Sequence, residues 1–176
     1  MKSLIKVSTS ILALGLLIML SCTPYVITTK LEKPLDSSAY CSVAPIGDQL
    51  PEGMEMEDRP TIEEIERLEN MLIERIEERE VFSVIGSGAE YEIRGSILEF
   101  KRGSGAVRFL IGFGAGNAKM VASLELVDQR TEEVVFGGNF DAVVASWAEK
   151  GDKIFYTIAD NFAKALKKQN KKLLKE

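Results

Sequence analysis

No histidine occurs in the 176 residues. Imidazole acid–base chemistry, Ser-His-Asp triads and histidine metal sites are therefore excluded. The chain also lacks a Gly-x-Ser-x-Gly elbow and a Gly-Lys-Ser/Thr phosphate loop, so two common enzyme signatures are missing. Cysteine is scarce, at Cys22 and Cys41, and tryptophan occurs once, at Trp147. Positive charge is not in excess. The formal net charge is −5, and becomes −7 without Lys2 and Lys6, which argues against a generic nucleic-acid partner. The longest apolar run, Ile11 to Leu20, is shorter than the roughly 20 residues of a membrane span.

That run has a different use. Lys2 and Lys6 precede it, and Ser21 and Cys22 follow it, giving the three-part pattern of a secretory signal peptide. Met19-Leu20-Ser21-Cys22 resembles a bacterial lipobox, with Met19 in place of the usual Leu. The resemblance implies removal of residues 1–21 and lipidation of Cys22, which becomes the first mature residue and anchors the chain to a membrane. Acyl chains hold a protein on a bilayer at about 0.8 kcal/mol per buried methylene, and two or more chains make the anchor stable. By resemblance to enteric lipoproteins, Thr23 after the cysteine implies the outer membrane, facing the periplasm. Cys41 then has no intrachain partner and is expected to pack as a small apolar residue; a Cys22–Cys41 disulfide is the alternative without lipidation.

Beyond Cys22 the chain divides into a tether, 22–38, and a single domain, 39–176. The tether holds Pro24, Pro34 and a Ser-Ser pair, with a short extended piece at Tyr25 to Thr29. Tyr40 to Ile46 suits a first strand with Pro45 at its margin. Gly47 to Pro60 is an acidic exposed loop without metal-ligand spacing. Thr61 and Glu64 form a capping-box signature for a helix to about Arg79, with Ile62, Ile65, Leu68, Leu72 and Ile76 on one apolar stripe.

Val81 to Ile85 reads as a short strand, and Tyr91 onward alternates apolar and polar until the phase shifts at Ile97–Leu98, where a β-bulge is expected. Met120–Val127 and Val134–Ala142 alternate around the turn Asp128–Glu133, an antiparallel hairpin. Asp152 is placed to cap a last helix with Ile154, Phe155, Ile158, Phe162 and Leu166 buried, and Trp147 is expected in the loop before it, as a lid on the core edge. Lysines 164, 167, 168, 171, 172 and 175 complement that helix's C-terminal dipole; contact with anionic head groups is the alternative. The order strand, helix, four strands, helix predicts an α+β domain, an antiparallel or mixed sheet of about five strands with both helices on one face. At fold level it looks like the periplasmic domains of envelope lipoproteins related to the curli secretion subunit.

Gly103 to Ala118 is apolar and glycine-rich at once, an unusual mix for a solvent loop. A dinucleotide site would need a helix to begin there, but an alternating strand follows. Apart from a long connection between strands, the segment fits an interaction loop comprising Arg108, Phe109, Leu110, Ile111, Gly112, Phe113, Gly114 and Gly116. Arg108 through Ala118, followed by Leu124-Glu125-Leu126-Val127-Asp128 and Thr131, is similar to a family of bacterial lipoproteins with a domain of unknown function, DUF4410. That resemblance covers Tyr40 to the last helix and implies an envelope lipoprotein with no assigned activity, no catalytic residues and no cofactor. The expectation is a non-enzymatic subunit or adaptor in envelope assembly, transport or secretion, held by the Cys22 lipid and meeting a homo-oligomer, an envelope protein or the membrane through the loop. A lipoprotein that binds a lipid or small apolar ligand between sheet and helices is the alternative.

Overall fold

The computed structural model describes residues 25–36, 38–103, 116–144 and 147–176. Its elements are β1 (Tyr25–Thr29), β2 (Tyr40–Val43), β3 (Gly47–Asp48), a 3-10 turn (Met56–Asp58), α1 (Ile62–Glu78), β4 (Ser83–Val84), β5 (Tyr91–Lys101), β6 (Ala118–Asp128), β7 (Glu133–Val144) and α2 (Trp147–Leu173). The strands form one mixed sheet in the order β1-β7-β6-β5-β2-β4, with β3 also beside β5. Neighbouring strands in the run β1-β7-β6-β5 are antiparallel, whereas β2 and β3 run parallel to β5. The α+β class and mixed sheet agree with expectation.

Two local effects raise the strand number from about five to seven. Pro45 has no N–H to give to a ladder, so the strand expected over Tyr40–Ile46 stops at Val43 as β2, and β3 forms from Gly47–Asp48, the start of the segment expected as an exposed loop, along the same edge of β5. The Ile46 N–H in the gap donates instead to Glu69 Oε1 of α1 at 2.7 Å. The second addition is β1, taken from the segment assigned to the tether. It pairs with β7 as Tyr25↔Phe140 and Ile27↔Gly138. A Cβ on Gly138 would lie 2.3 Å from the Val26 carbonyl oxygen, so only glycine admits β1 this closely. The sheet therefore begins at Tyr25, well before the expected domain boundary at 38/39.

Alternation decides the faces. Ile93, Ile97 and Phe100 of β5, Met120, Ala122, Leu124 and Leu126 of β6, and Phe136, Phe140 and Ala142 of β7 are buried. The expected bulge lies between Ile97 and Glu99, which lets Phe100 return to the core face. In the β6–β7 turn, Glu132 takes φ 57°, a left-handed conformation.

α1 carries the expected capping box: the Glu64 N–H donates to Thr61 Oγ1 at 3.3 Å, and the Thr61 N–H donates to Glu64 Oε2 at 2.7 Å. Leu68, Leu72 and Ile76 are fully buried, but Ile62, in the first turn, is 74% exposed. α2 begins at Trp147, five residues before the expected cap Asp152. Asp152 lies inside the helix and accepts from Arg67 Nη1 of α1 at 2.8 Å. Arg79 Nε donates to Asp160 at 2.8 Å, and the Arg75 guanidinium lies 4.8 Å from the Tyr156 ring centroid. Both numberings rise together along this seam, so the helices run parallel. Phe162 of α2 packs against Phe136 and Phe140 of β7, at 5.6 and 5.3 Å between ring centroids.

Phe162→Ala should cost about 3–5 kcal/mol of unfolding free energy in urea titrations. Gly138→Ala should instead act locally. Amide exchange in β1 should accelerate by about tenfold or more, while α2 stays protected.

Candidate functional site

The expected interaction loop joins β5 to β6. Strand pairing is complete up to Lys101↔Lys119, which leaves residues 102–117 as the connection. An antiparallel pair needs only about two to five residues there, so most of this segment is surplus to the sheet. Arg108, Phe109, Leu110, Ile111, Gly112, Phe113 and Gly114 lie outside the described residues, as does Cys22. The neck of the loop, including Gly116, is described.

The neck is tight. Gly103 and Gly116 have φ of 74° and 78°, and Gly116 is buried. A Cβ on Gly103 would come within 2.5 Å of the Gly116 carbonyl oxygen and 2.6 Å of the Ala118 nitrogen. Arg102 locks the neck to α1: its Nη2 donates to the Arg59 carbonyl and to Glu64 Oε2, each at 2.7 Å. Its guanidinium lies 5.1 Å from the Phe100 ring centroid, a cation–π contact. Glu64 thus serves both the helix cap and the neck. No single-sequence signal marked Arg102, because its partners are 38 and 43 residues away.

Several chain segments converge at this end of the sheet. Val144 at the end of β7 lies opposite Ala118 at the start of β6. Tyr25 lies opposite Phe140, so β1 enters the sheet from the same end. α1 begins beside Arg102, and α2 begins three residues after Val144. The lysine-rich end of α2 lies at the opposite end, where Gln169 and Asn170 accept from the Leu31 and Leu35 N–H groups at 3.0 and 2.9 Å.

Cys41 is fully buried in β2, and its thiol donates to the Ser42 carbonyl at 3.4 Å. Burial pushes its pKa up to about 12, so it behaves as the small apolar residue expected. A cleft of about 500 Å³ at the far end of the sheet is lined by Lys30, Leu31, Leu35, Tyr91, Asp128 and Glu133 among others. Asp128 there is engaged in the β6–β7 turn, accepting from the Arg130 and Thr131 N–H groups at 2.9 and 3.3 Å. Among the described residues, no group of three or more Cys, Asp or Glu is arranged to hold a metal ion. No described helix is long and apolar enough to cross a membrane.

Excising residues 104–115, so that Gly103 joins Gly116 and Gly103-Gly116-Asn117 forms a three-residue turn between Arg102 and Ala118, should change unfolding free energy by less than about 1 kcal/mol. Urea titration of the excised chain checks this independence. Cys41 should resist maleimide at pH 8 until the protein is unfolded, and a thiol titration in both states reads that difference.

No curated protein matches the chain. Solved structures with TM-scores above 0.5 share its fold at low identity. A PelC dodecamer from Paraburkholderia phytofirmans is 13% identical with a TM-score of 0.54, the match covering 79% of this chain and 98% of that one. A Xanthomonas campestris protein of family DUF330 is 12% identical with a TM-score of 0.54, covering 88% and 100%. A minor lipoprotein from Acinetobacter baumannii is 13% identical with a TM-score of 0.38, covering 74% and 91%. At the level of sequence, the model of the domain of unknown function DUF4410 matches residues 39–146, from β2 through the neck and both strands of the following hairpin, and the chain belongs to that family.

Proposed function

We propose that this protein is a non-enzymatic lipoprotein of the cell envelope, lipidated on Cys22 and held at the outer membrane facing the periplasm. It acts as a subunit or adaptor in envelope assembly, transport or secretion, and its working contact is the segment 104–115. One observation carries this reading. The sheet closes at Lys101↔Lys119 and at the Gly103–Gly116 neck without needing that segment, yet the segment is rich in apolar side chains. Apolar surface that a fold does not require is costly in water and marks a contact. The PelC neighbour is a dodecamer; a ring of identical subunits is the form of assembly we propose to test first.

The alternative, an apolar ligand held between sheet and helices, finds less support. That space is occupied by Phe136, Phe140, Phe155, Phe162, Leu68, Leu72 and Ile76, all fully buried.

Phe109→Asp combined with Phe113→Asp should leave the unfolding midpoint within a few degrees of the parent. It should abolish assembly or membrane contact, read by native mass spectrometry of detergent extracts and by vesicle flotation. Unchanged assembly and flotation would reduce the loop to a connection. Lipidation is read separately from the mass of the tryptic peptide Cys22–Lys30.

A further inference from the structure

We propose that the neck end of the sheet lies against the bilayer, so that the strands stand upright on the membrane and the lysine-rich end of α2 points away from it. The inference rests on the lipoprotein reading and adds the orientation, the partner surface and the residues that meet it.

Chain length sets the first constraint. Two residues, Thr23 and Pro24, separate Cys22 from Tyr25, so three chain steps of at most about 3.6 Å each span roughly 11 Å. Tyr25 is already paired with Phe140 in the sheet. Phe140 lies four residues short of Val144 at the neck end, so the extended stretch brings a lipidated Cys22 level with that end and no further, and holds that end of the domain against the membrane surface.

The exposed side chains at that end fit such a surface. Val143 of β7 is 54% exposed, and Ile62 at the start of α1 is 74% exposed. Met56, in the turn leading to α1, is 82% exposed. Lysines lie beside this apolar rim. Lys101 and Lys119 face each other across the last β5–β6 pair, next to Val143 in the register. Like charges directly opposite oppose pairing. Lys119 Nζ is offset by Glu99 at 2.6 Å, and an anionic head group would offset Lys101. The parallel helices add the positive ends of their dipoles at the same end.

The same geometry removes the lysine tail from the contact. α2 has 27 residues, about 40 Å at 1.5 Å per residue. Lys171, Lys172 and Lys175 thus stand about 40 Å from the neck end, too far to share head groups with the Cys22 lipid.

The test uses the full lipidated chain in vesicles of phosphatidylethanolamine and phosphatidylglycerol containing a nitroxide head-group lipid. Single variants Ile62→Cys, Val143→Cys and Lys172→Cys carry a maleimide fluorophore; the buried Cys41 stays unlabelled. Quenching of at least about twofold is expected at positions 62 and 143 and none at 172, since nitroxide quenching requires near contact with the membrane surface. Equal quenching at 172, or none at 62 and 143 in protein that floats with the vesicles, would overturn the orientation while leaving the anchor intact. An unmodified Cys22 in the same preparation would overturn the lipoprotein reading and the orientation together. Quenching at 62 and 143 that disappears on oligomerisation would assign this end to a second copy of the chain and overturn the bilayer contact.

Discussion

The packing of Phe162 against Phe136 and Phe140 is the contact on which the rest of the structure depends. It fixes α2 to β7, and β7 is the strand that other parts of the molecule use. On one side β7 pairs with β6 through the long hairpin. On the other it receives β1, because Gly138 leaves room for the Val26 carbonyl. α1 is positioned in turn by α2, through Leu68, Leu72 and Ile76 in the shared core and the polar seam from Arg67–Asp152 to Arg79–Asp160. The exposed Arg67–Asp152 pair adds little free energy. Together with Arg79–Asp160 it marks the register in which α1 and α2 lie parallel.

That arrangement closes the scaffold at a defined point. The β5–β6 ladder, the glycine neck and Arg102 close the sheet before the surplus loop begins. The parallel helices also make the molecule electrostatically polar along its length, with both N-termini at the neck and the lysines of α2 at the far end. A chain with net charge −5 can therefore present quite different ends.

The sequence by itself determined the elements whose information is local. The 3.6-residue stripe of Leu68, Leu72 and Ile76, the Thr61–Glu64 box, the two-residue alternation of β6 and β7 and the phase slip after Ile97 are each recorded within a few residues, because helix and strand periods are properties of the local backbone. Family membership was legible in the same way, from the motif spanning the glycine-rich stretch. Three features were not legible. β1 looked like a short extended piece of the tether but not a sheet strand, because five residues with Pro24 before them carry little pattern and their pairing depends on a glycine more than a hundred positions away. Asp152 looked like a cap because its true partner, Arg67, lies on another helix. Arg102 carried no signal because its role exists only once α1 is packed beside the neck. Local chemistry determined which segments are helix, strand and loop. Only the tertiary structure decided that the N-terminal side of β1, the loop neck and both helix N-termini face one end, since that depends on strand order and direction, which are set by long-range pairing and core packing.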